Sequence, residues 1–223
     1  MKKYRYWILT AATLLIFILW VILVKTVDVV HIKGVGPLGF YNLNTEVFKQ
    51  TALKIDMDKI SKITDILLYS SFLTVAAFGG VGLYQLIKRK SFKKVDPILY
   101  VLLGAYVATV LLYFILDLSK INYSPLSVTG NLKTSFPSTH VYICSTYYIV
   151  GLITLFKYKK LNTPIKVILM AFVGAMFLTV TILRLYSGRH YLTDIIGSVF
   201  LIAATCSAYV AFLNLLKEPF GKK

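Results

Sequence analysis

The chain is short of acid. Its 223 residues carry nine Asp and Glu against 25 Lys and Arg, a formal net charge of +16. Charged residues of both signs make up only 15% of it, whereas apolar residues make up 57% and the mean hydropathy is +0.73. That balance excludes a water-soluble globular domain of ordinary composition. Cysteine is nearly missing too. Cys144 and Cys206 both fall in apolar runs, so a structural disulfide is not expected. No Cys-x-x-Cys pair or His/Cys grouping is present, so no metal site is expected either. Linkers, low-complexity tracts and internal repeats are lacking, which predicts one membrane domain over residues 1–223. Gly79, Gly80 and Gly82 follow no strand, which excludes a dinucleotide fingerprint and leaves close helix packing as their reading.

What the chain has in abundance is hydrocarbon. A membrane-crossing helix needs about 20 mostly apolar residues. Six such runs stand at roughly 6–24, 65–87, 97–118, 139–156, 165–183 and 192–216. The first is too long for a signal-peptide core and is followed by no small-residue cleavage site, so it reads as a retained helix. The fold class expected is all-α: a polytopic six-transmembrane-helix bundle. The basic residues then set its orientation. "MKKYR", "IKRKSFKKVD", "KYKKLNTPIK" and "KEPFGKK" would share one side, with 15 Lys and Arg against Asp96 and Glu218; the other side would hold 10 against seven acids. The excess predicts that both termini are cytoplasmic. The net charge is then a topology signal and a contact with anionic headgroups of the bilayer. Split among four short segments, it does not describe a nucleic-acid surface.

Three segments face the other side. Residues 25–64 form the longest, in which Val47, Phe48, Ala52 and Ile55 stand at helical spacing and suggest a short interfacial helix or an amphipathic loop. Residues 119–138 form the second, and "RLYSGRH" marks the third. Chemistry-bearing residues gather in the last two. In "FPSTHVY", Ser138 and Thr139 stand at the N-cap or first turn of the fourth span, where free N–H groups and the helix dipole suit an anion, with the proton donor His140 beside them. In "RLYSGRHYLTD", Arg184 ends the fifth span, and His190 and Asp194, four apart, would share a face at the start of the sixth. An aspartate on one imidazole nitrogen would free the other to attack, and a guanidinium suits phosphate oxygens. The plainer readings are a helix cap at Ser138 and an interfacial ion pair with Arg184 reaching for the headgroups.

"PSTH" resembles the Pro-Ser-Gly-His motif of the type 2 phosphatidic acid phosphatases, and Arg184-x5-His190-x3-Asp194 resembles that family's third motif, Arg-x5-His-x3-Asp. With six spans, the resemblance covers essentially the whole chain, and the pair of motifs is far more specific than either alone. It implies a metal-independent, cofactor-free enzyme of a bacterial-type cell membrane. Such an enzyme hydrolyses a lipid phosphomonoester or pyrophosphate at the extracytoplasmic face: undecaprenyl pyrophosphate, phosphatidic acid or phosphatidylglycerol phosphate. On the matching positions, His190 would be the nucleophile and Asp194 its orienting partner. His140 would protonate the leaving oxygen, and Arg184 with the Ser138–Thr139 turn would hold phosphate oxygens.

The chain departs from that pattern in three places. Leu183 precedes Arg184 where serine is usual, Thr139 replaces the glycine of the second motif, and the first motif, Lys-x6-Arg-Pro, is degenerate. Lys120 is plausibly placed, but "NYSP" puts Ser124 where an arginine is expected. Losing a preorganised phosphate contact costs about 3–4 kcal/mol of transition-state binding. Lys133 and Lys120 are the leading substitutes and Arg189 a third. A catalytically weak relative that binds phospholipid headgroups is the competing reading. A small transporter is another, against which stands the scarcity of ionisable residues at span centres. Asp117 would either pair with Lys120 or help position the site.

Overall fold

The computed structural model describes residues 4–51, 56–129 and 132–216, with backbone alone at Met57, Val128 and Thr129. Ala52 and Ile55 of the suggested interfacial helix, Lys2 and Lys3, and the tail from Lys217 lie outside the described residues. The chain is an all-α, multi-pass membrane protein. Its helices are α1 (Arg5–Thr26), α2 (Tyr41–Thr51), α3 (Met57–Arg89), α4 (Pro97–Leu118), α5 (Ser145–Tyr158), α6 (Thr163–Tyr186) and α7 (Leu192–Leu213). All but α2 belong to spans, and α5 is entered through a π-helical turn, His140–Cys144. A short antiparallel hairpin, β1 (Val30–Ile32) and β2 (Gly36–Leu38), links α1 to α2.

Solvent polarity is inverted on this molecule. Leu118 is 78% exposed, Leu73 69% and Ile8 68%. In water such a surface would aggregate; in a bilayer it meets hydrocarbon. The interior, by contrast, holds Asn44, Thr64, Asn122, Ser138, Arg184 and Asp194 at one end of the bundle. Buried polar groups need partners, and all of these but the Ser138 hydroxyl find one across elements far apart in sequence.

α1 and α7 run antiparallel in close contact. Trp20 Nε1 donates to the Thr193 carbonyl at 3.0 Å near one end, Thr13 and Ser207 hydroxyls meet at 3.3 Å midway, and Trp7 sits edge-on to Phe212 near the other. The start of α1 and the end of α7 therefore lie at one end of the bundle, and the buried polar cluster lies at the opposite end. At the terminal end Asp96, just before α4, receives Arg89 Nη1 at 2.8 Å, Gln85 Nε2 at 2.9 Å and Tyr158 Oη at 2.7 Å, tying α3, α4 and α5 together. Burial works against the Asp96 carboxylate, but the hydrogen bonds from Arg89, Tyr158 and Gln85 prevail and hold its pKa below the ordinary value.

At the polar end, residues 27–51 form a docked cap. Asn44 is fully buried; its Nδ2 donates to the Gly39 carbonyl at 2.8 Å and to Thr193 Oγ1 at 2.9 Å, fastening α2 to the start of α7. α2 begins at Tyr41, six residues before Val47, the first of the residues noted at helical spacing.

α3 departs most from expectation. It begins at Met57, eight residues before the expected start at 65. Asp56 caps it, its Oδ1 accepting Lys59 N–H at 3.0 Å. Hydropathy ends at the membrane boundary, but the backbone hydrogen-bond ladder does not, so α3 rises about two turns past its apolar run.

The core of α7 is fitted to the loop before α5. Gly197 lies so close to the buried Phe136 ring that a Cβ there would stand 2.4 Å from two of its carbons. Phe136 in turn stacks on Phe17, with ring centres 6.1 Å apart. Gly197→Ala should cost about 1–3 kcal/mol through overpacking and disturb the Ser135–Ser138 segment. A thermal unfolding midpoint in detergent unchanged from the wild type would show that Phe136 can move aside freely.

Candidate active site

The site is assembled from five pieces of chain. Arg184, in the last turn of α6, is 4% exposed. A guanidinium in so dry a place requires partners. Its Nη1 donates to Thr64 Oγ1 of α3 at 2.9 Å, and its Nη2 lies 3.2 Å from His190 Nε2. His190, 7% exposed, belongs to the turn between α6 and α7, and its Nδ1 lies 2.8 Å from the Ser135 carbonyl.

The chemistry of these two partners fixes the tautomer. A carbonyl can only accept, so the ring proton sits on Nδ1. A guanidinium can only donate, so the lone pair is on Nε2. His190 is thus a neutral imidazole whose free nitrogen faces Arg184. Burial, the Arg184 charge and then the His140 ring hold its pKa well below the ordinary value; the Ser135 carbonyl opposes them without prevailing.

Asp194 does not play the part its spacing suggested. His190 precedes α7, whose N-cap is Tyr191, so the i,i+4 rule for a shared helical face does not apply. The Asp194 carboxylate is 3.9 Å from His190 Nδ1, too far for a hydrogen bond. Its oxygens instead accept Tyr191 N–H at 3.0 Å and Asn122 Nδ2 at 2.9 Å. It is a buried staple that fixes the start of α7 and the 119–138 loop, and so the turn carrying His190.

The carboxylate that meets an imidazole directly belongs to another pair. His140 Nε2 lies 2.7 Å from Asp65 Oδ1 on α3. The carboxylate accepts, so Nε2 carries a proton; Nδ1 is buried and has no protein partner. Ser138 lies beside this turn, with its N–H on Ser198 Oγ at 2.8 Å and Ser198 donating on to the Asp194 carbonyl at 2.9 Å. Neither Ser138 nor Thr139 caps the helix with its side chain, although Thr139 occupies the N-cap position. Ser138 Oγ, like His140 Nδ1 and Arg184 Nε, is buried and unpartnered. Two neighbouring segments, the Ser138–His140 turn and the end of α6, therefore present three polar atoms that no protein group satisfies. Such atoms are costly unless a guest with several oxygen atoms completes them.

His140, Ser138, Arg184, His190 and Asp194 are thus brought together. Lys120 and Lys133 are exposed, and neither ammonium makes a hydrogen bond or ion pair with the cluster. Asp117 accepts from Thr134 Oγ1 and so braces the loop, rather than pairing with Lys120. Among the described residues, no three His, Cys, Asp or Glu side chains are grouped as metal ligands. Sequence reasoning missed Thr64, Asp65, Asn122, Ser135 and Ser198. Asp65 carried a usable signal, an acid at the first residue of an expected span; the other four are common polar residues without a pattern.

The sequence profile of the PAP2 superfamily matches residues 97–218. Among solved structures, a transmembrane PAP2-type phosphatidylglycerolphosphate phosphatase from Bacillus subtilis shares the fold, with a TM-score of 0.68. It is 20% identical and the match covers 94% of this chain and 98% of that one. No curated protein sequence matches significantly.

The tautomer argument has a direct check. The groups facing His190 are Arg184 from α6, His140 from the π-turn, Asp194 from α7, Arg189 from its own turn and the Ser135 carbonyl. Because its pKa is depressed, the ring stays neutral between that low value and about 6.5, where a free imidazole is already protonated. Nitrogen NMR of histidine-labelled protein in micelles should show His190 neutral, with the proton on Nδ1, at pH 6. An imidazolium signal there would contradict the geometry.

Proposed function

Because the chain belongs to the PAP2 superfamily, we propose that it is a metal-independent lipid phosphatase of the cell membrane, acting through a phosphohistidine intermediate at the extracytoplasmic face. Family membership and the shared membrane fold support the phosphatase class. The observation that carries the finer reading is His190: neutral, buried, and with its unprotonated Nε2 against a guanidinium. That is the state a nitrogen nucleophile needs.

In the first step a phosphate oxygen of the lipid replaces His190 Nε2 as the partner of Arg184 Nη2. The Nε2 lone pair then forms a bond to phosphorus as the bond to the lipid oxygen breaks. His140, held through Nε2 by Asp65 and protonated once the phosphate anion lies beside it, delivers its Nδ1 proton to that leaving oxygen. In the second step neutral His140 takes a proton from water as the water oxygen attacks phosphorus. The phosphorus–nitrogen bond breaks, its electrons return to Nε2, and inorganic phosphate leaves. Arg184 and the unpartnered Ser138 hydroxyl bear the charge on the oxygens that do not react. Asp194 acts by holding the start of α7, a positioning role.

The extracytoplasmic assignment rests on charge. Arg89, Lys90, Lys93 and Lys94, with Lys157, Lys159 and Lys160, stand at the end of the bundle opposite the site, and cationic loops favour the cytoplasm. A lipid phosphomonoester or pyrophosphate would keep its tails among the exposed apolar side chains while its headgroup enters the polar end. Phosphatidic acid, phosphatidylglycerol phosphate and undecaprenyl pyrophosphate all meet that description. Ser124, in the place of an expected arginine, favours one second reading, a weak or inactive relative that binds the headgroup.

Purified protein in detergent with EDTA should release phosphate from at least one of these lipids, and His190→Ala should abolish the release. Asp65→Asn should lower kcat by about 10²-fold, on the scale of general acid–base catalysis, with a smaller effect on KM. Wild-type turnover no faster than His190→Ala on all three lipids would leave the headgroup-binding reading.

A further inference from the structure

Arg189 sits immediately before His190, yet the roles assigned so far make no use of it. Its backbone carbonyl accepts Ser124 Oγ at 2.9 Å, which pins this turn to the 119–138 loop at the position where the first-motif cation is missing. Its side chain reaches α3, where Nη2 meets Asp58 Oδ1 at 3.2 Å. The Asp58 side chain is 85% exposed, so this pair is solvated and weak, and a competing anion can displace it at little cost. The other end of the guanidinium is different in kind. Arg189 Nε is buried and has no partner, as is Arg184 Nε.

Two arginines five residues apart therefore each keep a buried donor unfilled, and the charges of both act on the His190 ring. Like charges crowded around one imidazole are unfavourable unless an anion is meant to lie among them. Lys120 and Lys133, exposed and unattached to the cluster, have no such geometry.

We propose that Arg189 is a second phosphate-binding cation, held at rest by Asp58 and turned onto the oxygens of a phosphate group that enters beside His190. This rests on the reading of the cluster as a phosphate site, and it assigns to Arg189 the contact that Ser124 cannot make. In the bound state Nε and Nη2 form a fork to phosphate oxygens, while the Ser124 bond keeps the backbone in place.

The test uses inorganic phosphate as the probe, titrated by calorimetry into the full chain in detergent, with lipid turnover measured in parallel. Arg189→Gln should weaken phosphate binding at least tenfold, and Arg189→Lys, which keeps the charge but not the fork, should fall between it and the wild type. Asp58→Asn removes the competing carboxylate and should tighten binding about twofold to fivefold, the range an exposed pair supports. Phosphate affinity unchanged in Arg189→Gln, or lost in Asp58→Asn as fully as in Arg189→Gln, overturns the proposal; the second outcome would make the pair structural. Should Arg189→Gln fail to fold, Asp58→Asn and Arg189→Lys decide alone. The two readings fail separately: His190→Ala without effect on turnover removes the enzyme, whereas phosphate binding indifferent to Arg189 removes only the second cation.

Discussion

Burying the Arg184 guanidinium at the edge of a membrane is the demand from which the rest of this structure follows. A permanent cation, 4% exposed, cannot be left to water or to hydrocarbon. Thr64 and His190 answer part of that demand at 2.9 and 3.2 Å, and Nε answers to nothing in the protein. The first bond requires α3 to pass the end of α6. The second sets which His190 nitrogen is bare. The unmet remainder makes the place attractive to an anion. Stability and chemistry are therefore in tension at the same atoms, as expected where a fold holds a site open.

Around that centre, polar side chains act as fasteners between segments distant in sequence. Asn44 joins the α2 cap to Thr193, Asn122 joins the 119–138 loop to Asp194, and Ser198 joins α7 to Ser138. Each is buried, and each holds a segment that adjoins His140 or His190 in the chain. Apolar packing supplies the bundle, but it is non-directional; these hydrogen bonds set the register in which His140 and His190 meet.

How much of this was legible in the sequence differs from residue to residue. The six spans were, because a hydrocarbon crossing imposes length and composition together. The Ser138–His140 and Arg184–His190–Asp194 groupings were, because reactive residue types stand at fixed intervals beside otherwise featureless runs. The orientation of His190 was not: counting four residues to Asp194 presumes a helix, and the helix begins two residues after His190. Nor was the lower half of the site. A hydropathy reading begins at Asp65 and leaves out Asp58, Lys59, Lys62 and Thr64, although the helix runs through all of them. Asn44, Asn122 and Ser135 act through single contacts to remote backbone or side chains, which leave no periodic trace.

The overhanging start of α3 carries one further implication. Asp58 and Asp65 are seven residues apart, two turns and about 10 Å along a single rod, and Thr64 lies between them. Through these three side chains α3 grips Arg189, His140 and Arg184. A rod cannot let go of one and keep the others in place when it leans, so the charged contacts here are mechanically ganged. Any force that tips this span in its bilayer reaches both guanidiniums and an imidazole in one movement.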